Sequence, residues 1–264
     1  MSRAVVFAIA NQKGGVGKTT TSVNLAASLA AAERPTLLVD CDPQANASSG
    51  VGVRPRTVEN SLYDVITERL TPDEALVQTA IKQLHVLPAT QDLVGVELEL
   101  IDADDRAGRL RRVLAPLRDR YEYVVLDCPP SLSLLTINAL SAADEVLVPM
   151  QCEYFALEGL TQLTATIDRV RDLYNPGLTM AGIVLTMYDK RNLLTHQVAE
   201  EVRKRFHVFE SIIPRNVKLS EAPSHGQPVL LYDINCKGAQ GYLSLAREIL
   251  SRDAERAERG EQQA

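Results

Sequence analysis

The stretch from 4 to 32 confines this chain more than any other. It runs from an apolar segment, AVVFAIA, through the glycine-rich NQKGGVGKTTT and into SVNLAASLAAA. The first piece has the unbroken Val, Ile and Ala content of a strand buried on both faces. The last has the alanine and leucine content of a helix. Between them, glycines free the backbone to curl so that successive N–H groups converge on an anion, and the helix N-terminus adds partial positive charge. GGVGKTT therefore predicts a phosphate cradle, with Lys18 on the β- and γ-phosphates and the Thr19 hydroxyl on Mg²⁺. The plainer alternative is a glycine turn with no ligand, and the motifs further along argue against it.

The rest of the chain repeats the strand-then-helix order. Apolar runs lie at 4–10, 36–40, 84–89, 123–127, 145–150, 180–187 and 211–214, and they lack polar alternation. Helices are predicted at 18–33, 58–68, 72–80, 92–119, 132–142, 157–174, 194–206 and 239–257. Strands of this kind alternating with helices predict an α/β fold. Its expected form is a doubly wound, mostly parallel twisted sheet with helices on both faces. No internal repeat, linker or break in composition divides the chain, so one domain is expected over 1–250. The charged end, SRDAERAERGEQQA at 251–264, is expected to fray from the last helix.

Composition narrows the classes. A chain of 264 residues buries about three quarters of its unfolded surface without disulfide staples. The net charge of −6 argues against a globally basic nucleic-acid binder, though not against a local basic patch. No run approaches the ~18 apolar residues of a membrane span. AVVFAIA is too short for a signal peptide, and a glycine loop follows it at once. Cys41, Cys128, Cys152 and Cys236 form no CxxC pair and are expected as reduced thiols. His85, His196, His207 and His225 are equally scattered, so no zinc or haem site is expected.

Two further strand ends carry carboxylates. LLVDCDPQ places Asp40 and Asp42 two residues apart, on one side of a strand and near its C-terminal end. Asp42 before Pro43 also fits a plain Asx-type turn. YVVLD ends in Asp127, the Walker B pattern, which is weak alone and strong behind a lysine-threonine loop. Between 186 and 218 stand seven basic residues (Lys190, Arg191, Arg203, Lys204, Arg205, Arg215 and Lys218) against four acidic ones. That local excess suits a phosphate backbone, although an ordinary solvated helix face has the same composition.

Counting back from Lys18, Gln12 occupies the place of the first glycine in GxxxxGK[ST], and Lys13 is an added lysine. KGGVGKTT closely resembles the deviant Walker A motif of the ParA/MinD class of P-loop ATPases. DPQANASSG at 42–50 and SEAPSHG at 220–226 resemble the ParA partition family in particular, and the likeness extends from Val5 to about Leu250. It is nearest the short, Soj-like type, which lacks a preceding helix-turn-helix domain.

The resemblance implies an ATPase that uses ATP and Mg²⁺ and forms a homodimer around two ATP molecules. Lys13 would reach phosphates held by the other subunit, on the logic of an arginine finger. Gly14, Gly15, Val16, Gly17, Lys18, Thr19 and Thr20 would hold the local ATP, and Pro214 and Asn216 would line the adenine pocket. Thr19, Asp40 and Asp127 would support Mg²⁺, and Asp42 would handle the attacking water. The resemblance leaves the division of labour between the two early aspartates open. Arg191 and Lys218 align with DNA-binding positions, with Arg215 and Lys204 as further candidates.

Implied partners are non-specific double-stranded DNA and a ParB-type centromere-binding protein, in the cytoplasm and on the nucleoid. The alternatives are positioning of another cargo or a MinD-like membrane-associated division regulator. The end of this chain lacks the aromatic, basic amphipathic face that a membrane-surface helix needs. An iron–sulfur role, as in the related nitrogenase iron protein, finds no partner cysteine for Cys128.

Overall fold

Eight strands form one sheet in the order β3-β4-β2-β5-β1-β6-β7-β8 in a computed structural model that describes residues 3–261. They are β1 (Val5–Ile9), β2 (Thr36–Asp40), β3 (Val77–Gln78), β4 (Leu84–Leu87), β5 (Tyr123–Asp127), β6 (Glu145–Gln151), β7 (Thr179–Tyr188) and β8 (Val208–Pro214). All neighbours run parallel except β3, which pairs antiparallel with β4 at one edge. Five longer helices cover the faces: α1 (Lys18–Ala31), α2 (Leu134–Ala142), α3 (Ala156–Leu173), α4 (Leu193–Arg203) and α5 (Lys237–Glu261).

Burial on both faces explains the apolar runs. Side chains alternate across a strand, so Phe7 and Ile9 of β1 join one core with Leu25, Leu29, Tyr242 and Leu245. Val6, Ala8 and Ala10 join the other, with Leu135, Leu163 and Val198. β1 sits between β5 and β6 at the middle of the sheet, and the glycine loop rises from its C-terminal end. That is the crevice where open α/β sheets bind ligands.

Several predicted elements change. The helix expected over 92–119 resolves into short pieces, Gln91–Gly95, Val96–Glu99, Arg109–Leu114 and Ala115–Leu117. The acidic run 102–105 and Gly108 lie at its break, where short polar side chains compete with the helical ladder. The helix expected over 72–80 ends at Ala75, and Val77 pairs instead with Val86 as the sheet edge. β8 begins three residues earlier than the run at 211–214.

The last helix crosses the expected boundary at 250 and continues to Glu261, while 262–264 lie outside the described residues. Glu145 at the start of β6 explains the extension. It forms ion pairs with Arg252, at 2.8 Å, and with Arg256, while Asp253 accepts the Tyr123 hydroxyl at 3.1 Å.

Gly182 makes a local prediction possible. The β6–β7 register shifts here, with Val146 opposite Met180 and Leu147 opposite Gly182. Gly182 adopts φ +146°, and a Cβ would lie 2.6 Å from His207 Cδ2 and 3.0 Å from Phe209 Cε2. Gly182→Ala is expected to destabilise the fold by about 1–3 kcal/mol through overpacking. A urea midpoint equal to that of the parent chain would show that the bulge absorbs the methyl group.

Candidate nucleotide-binding site

After β1 the chain turns at 10–17 into α1. Gly15 and Gly17 take φ of 75° and 90°, a region that side chains resist. A Cβ on Gly14 or Gly15 would meet nothing within 4 Å, so the space beside both glycines is open. The far side is braced by Thr186 of β7, whose hydroxyl donates to the Val16 carbonyl at 2.8 Å. The first turn of α1 holds no acidic side chain, which leaves its positive end uncompensated. Lys18 opens that turn, is 7% exposed, and donates from Nζ to the Lys13 carbonyl at 3.0 Å. Burial pushes its ammonium below the ordinary lysine value, against the attraction of Asp127.

Asp127 stands opposite Asp40 in the β2–β5 register, and both are fully buried. Burial raises both carboxyls above the usual carboxylate range, and the charge of Asp40 adds to the rise at Asp127. Asp127 Oδ1 accepts the Ser22 hydroxyl at 2.7 Å. Its Oδ2 is buried with no hydrogen-bond partner among the described residues. A donor or cation at that oxygen would remove the desolvation cost, so the residues fit a bound ion or its water. No group of three His, Cys, Asp or Glu side chains among the described residues is gathered to hold a metal by itself. An ion here would depend on phosphate oxygens and water, as Mg²⁺ commonly does.

Asp40 uses both oxygens on its own loop. Oδ2 accepts the Ser48 N–H and hydroxyl, each at 2.7 Å, and Oδ1 accepts the Asp42 N–H at 3.2 Å. Ser48 Oγ in turn accepts the Ala89 N–H at 3.1 Å. Asp40 thus ties down the loop that carries Asp42, rather than offering an open oxygen to an ion. Asp42 is half-buried and accepts the Gln44 N–H at 2.9 Å, the Asx turn that Asp-Pro permits.

Lys13 forms an ion pair with Glu153 of the same chain, at the end of β6. Pro214 and Asn216 line a cavity of ≈ 130 Å³ with Gly17, Thr20, Met187 and Tyr242. Asn216 also caps the short helix Val217–Glu221, accepting the Lys218 N–H at 2.9 Å. Sequence reasoning missed Ser22, Thr186, Tyr242 and Glu153. Ser22 lies one turn after Lys18 on the same helical face, a legible spacing. The others lie more than a hundred positions from the loop they serve, with no local signal.

The basic candidates separate. Arg191 and Arg215 rim one open groove of ≈ 790 Å³, together with Lys190 and Lys237, a lysine that the sequence reading passed over. Lys218 lies just beyond Arg215 and pairs with Glu221 at 2.9 Å. Lys204 belongs elsewhere: it precedes β8, whereas Arg215 follows it, and seven strand residues at ~3.3 Å each set the two ends about 20 Å apart. Lys204 also pairs with Glu201 at 2.9 Å. Cys41, Cys128, Cys152 and Cys236 are free thiols, and burial pushes the Cys128 thiol far above its ordinary value.

A parallel sheet with a glycine loop between its central strand and a helix, a lysine opening that helix, and an aspartate ending the adjacent strand together define a P-loop NTPase. The model of the AAA-domain family matches residues 4–180. The chromosome partitioning protein ParA of Myxococcus xanthus is 56% identical over 256 residues, covering 96% of this chain and 90% of that protein. The sporulation initiation inhibitor protein Soj of Bacillus subtilis is 51% identical over 246 residues, covering 92% and 97%. The chain belongs to the ParA/Soj family of chromosome-partitioning P-loop ATPases. Among solved structures, cobyrinic acid a,c-diamide synthase of Mycobacterium smegmatis with bound ADP and magnesium superposes with a TM-score of 0.82. It shares 37% identity over 94% of each chain.

Proposed function

We propose that this protein is a Mg²⁺-dependent DNA-partition ATPase that dimerises around two ATP molecules, binds DNA without sequence preference and releases it on hydrolysis. The observation that carries the reading is the buried Asp127 carboxylate beside an open glycine loop, with one oxygen on Ser22 and the other unpartnered. The ParA and Soj relatives support the biological output. The magnesium and ADP named for the solved relative support the ligands.

In this reading the N–H groups of residues 14–20 and Lys18 Nζ bind the phosphates, and the Lys18–Lys13 carbonyl bond is exchanged for a phosphate contact. Thr19 and Asp127 would hold Mg²⁺, Asp127 through its unpartnered oxygen or a water. The ion would offset charge on the β- and γ-phosphates. Asp40 serves as a positioning residue that fixes the loop of Asp42, and Asp42 orients the attacking water. Pro214 and Asn216 flank the base. Lys13 leaves Glu153 and supplies charge to the partner subunit's nucleotide. Nucleotide state would then control DNA binding by controlling dimerisation, since each dimer doubles a basic patch that is weak in one subunit.

ATP turnover measured alone, with DNA, with anionic liposomes and with a ParB-type protein tests the function. Stimulation by DNA together with the ParB-type protein is expected. Stimulation by liposomes alone would replace this reading with a MinD-like one. No helix among the described residues is long and apolar enough to cross a membrane.

The basic groove adds a narrower expectation. Arg191→Ala and Arg215→Ala should each weaken ATP-dependent DNA binding across sequences and lower the salt slope by about 1. Lys204→Ala should leave that slope unchanged, because its side chain lies toward the opposite end of β8. Equal salt slopes for all three variants would reject the groove.

A further inference from the structure

Two of the cations assigned to DNA carry carboxylates of their own. Asp189 Oδ1 accepts the Arg191 N–H at 3.0 Å and its Nε at 3.3 Å, while Oδ2 accepts the same guanidinium at 3.4 Å. Glu221 Oε2 accepts Lys218 Nζ at 2.9 Å and the Tyr232 hydroxyl at 3.2 Å. A second donor therefore holds each carboxylate beside its cation, a backbone N–H in one case and a phenol in the other.

The loop that bears Arg191 is also fixed from the side of α4. His196 donates from Nε2 to the Lys190 carbonyl at 2.7 Å, so the Nδ1 of the neutral ring accepts the Tyr188 hydroxyl, at 3.1 Å. The Asn192 N–H donates to the Asp189 carbonyl at 3.2 Å. Asp189 thus keeps its place in the groove that Arg191 and Arg215 also line. The Arg191 N–H first, and its guanidinium second, hold the Asp189 carboxyl below the ordinary carboxylate value. Lys218 does the same for Glu221.

Negative charge at these two positions works against a phosphate backbone. A paired guanidinium presents little net field beyond a Debye length of about 8–10 Å, so it draws DNA in weakly. On contact, the phosphate must share the cation with a carboxylate that repels it. Such an arrangement weakens the patch of one protomer, and doubling the patch is what restores firm binding.

We infer that Asp189 and Glu221 are built-in counter-ions that set how weakly one protomer holds DNA, and so leave firm binding to the dimer. This deepens the proposed DNA-binding function, rests on it, and names residues that regulate it.

The test titrates the full chain, with ATP and with ADP, into a fluorescent double-stranded oligonucleotide of arbitrary sequence over a range of salt. Asp189→Asn keeps an acceptor for the Arg191 N–H and removes the charge, and Glu221→Gln does the same for the Tyr232 hydroxyl. Exposed ion pairs are individually weak, and a dimer holds each of them twice. Each variant should therefore tighten ATP-dependent binding about threefold, and the double variant about tenfold. With ADP, where one protomer acts alone, the double variant should gain about threefold. Its salt slope with ATP should steepen by about 1–2.

Asp172→Asn controls for net charge. Asp172 is exposed near the end of α3, before β7, whereas the Arg191 loop follows β7. Ten strand residues at ~3.3 Å each set the two about 30 Å apart, so this variant should bind DNA as the parent does. Circular dichroism checks that every variant folds. Affinity and salt slope equal to the parent's in the double variant would overturn the inference. Equal gains in Asp172→Asn would overturn it in favour of net charge. Tighter binding by Asp189→Ala but not by Asp189→Asn would overturn it in favour of loop shape. Absence of DNA binding by the parent and by every variant would remove the DNA-binding reading itself, whereas parental binding that the double variant leaves unmoved would remove the counter-ions alone.

Discussion

Lys13→Ala is expected to leave ATP binding nearly intact while dimer-dependent hydrolysis falls by about 10³-fold, the low end of what a cation supplied in trans contributes. Two geometric facts separate the lysines. Lys18 is 7% exposed at the loop and already donates from Nζ to the Lys13 carbonyl, in the position that the proposed function gives to the local phosphate ligand. Lys13 instead points its charge to Glu153, and both side chains are nearly half exposed, at 41% and 46%. An exposed pair of this kind is worth about 0.2–1 kcal/mol, so release toward a partner's phosphates costs little. Nucleotide titration and single-turnover hydrolysis at high protein concentration make the measurement. Loss of ATP affinity in proportion to the loss of rate would make Lys13 an ordinary local ligand and remove the trans assignment.

Asp42→Ala is expected to accumulate an ATP-bound dimer with turnover reduced by roughly 10²–10⁴-fold, the range of a positioned general base or water-orienting group. Asp42 is half-buried on a loop whose conformation is set by Asp40, Ser48 and the Ala89 N–H. The substitution removes a carboxylate without removing that scaffold. Sedimentation with ATP, paired with phosphate release, reads both halves of the expectation. Unchanged turnover would show that the Asx turn to Gln44 is all that Asp42 does. Asp40→Ala should differ in kind. It strands the buried Ser48 hydroxyl and the Asp42 N–H, so lost stability should accompany lost activity.

Much of the site was legible because it is contiguous. Residues 13–20 contain their own turn, their own helix N-terminus and both lysines within eight positions. Seven of the eight strands announced themselves as apolar runs, because a parallel sheet covered on both faces demands them. The exception, β3, is two residues long and lies on the edge, where only Val77 and Gln78 pair. The helix expected over 92–119 failed for the opposite reason. Its apolar residues are real, but they serve two faces, one buried and one exposed, across a chain broken by the acidic run at 102–105.

The amino-acid sequence by itself determined the class of this protein: that a glycine loop would join the first strand to a helix opened by Lys18, and which strands would end in carboxylates. These are properties of neighbours along the chain, set by backbone freedom and side-chain alternation. The tertiary structure alone decided how those carboxylates are used. It gave Asp127 a hydroxyl from Ser22 and, among the described residues, no partner for its other oxygen. It used both oxygens of Asp40 on the loop at 42–48, and it set Lys13 against Glu153. It also parted Lys204 from Arg215 by the length of β8. Most of these contacts join residues far apart in the chain, and no local pattern encodes which buried group will meet which. That choice is made when the sheet closes and each polar atom must find a partner inside it.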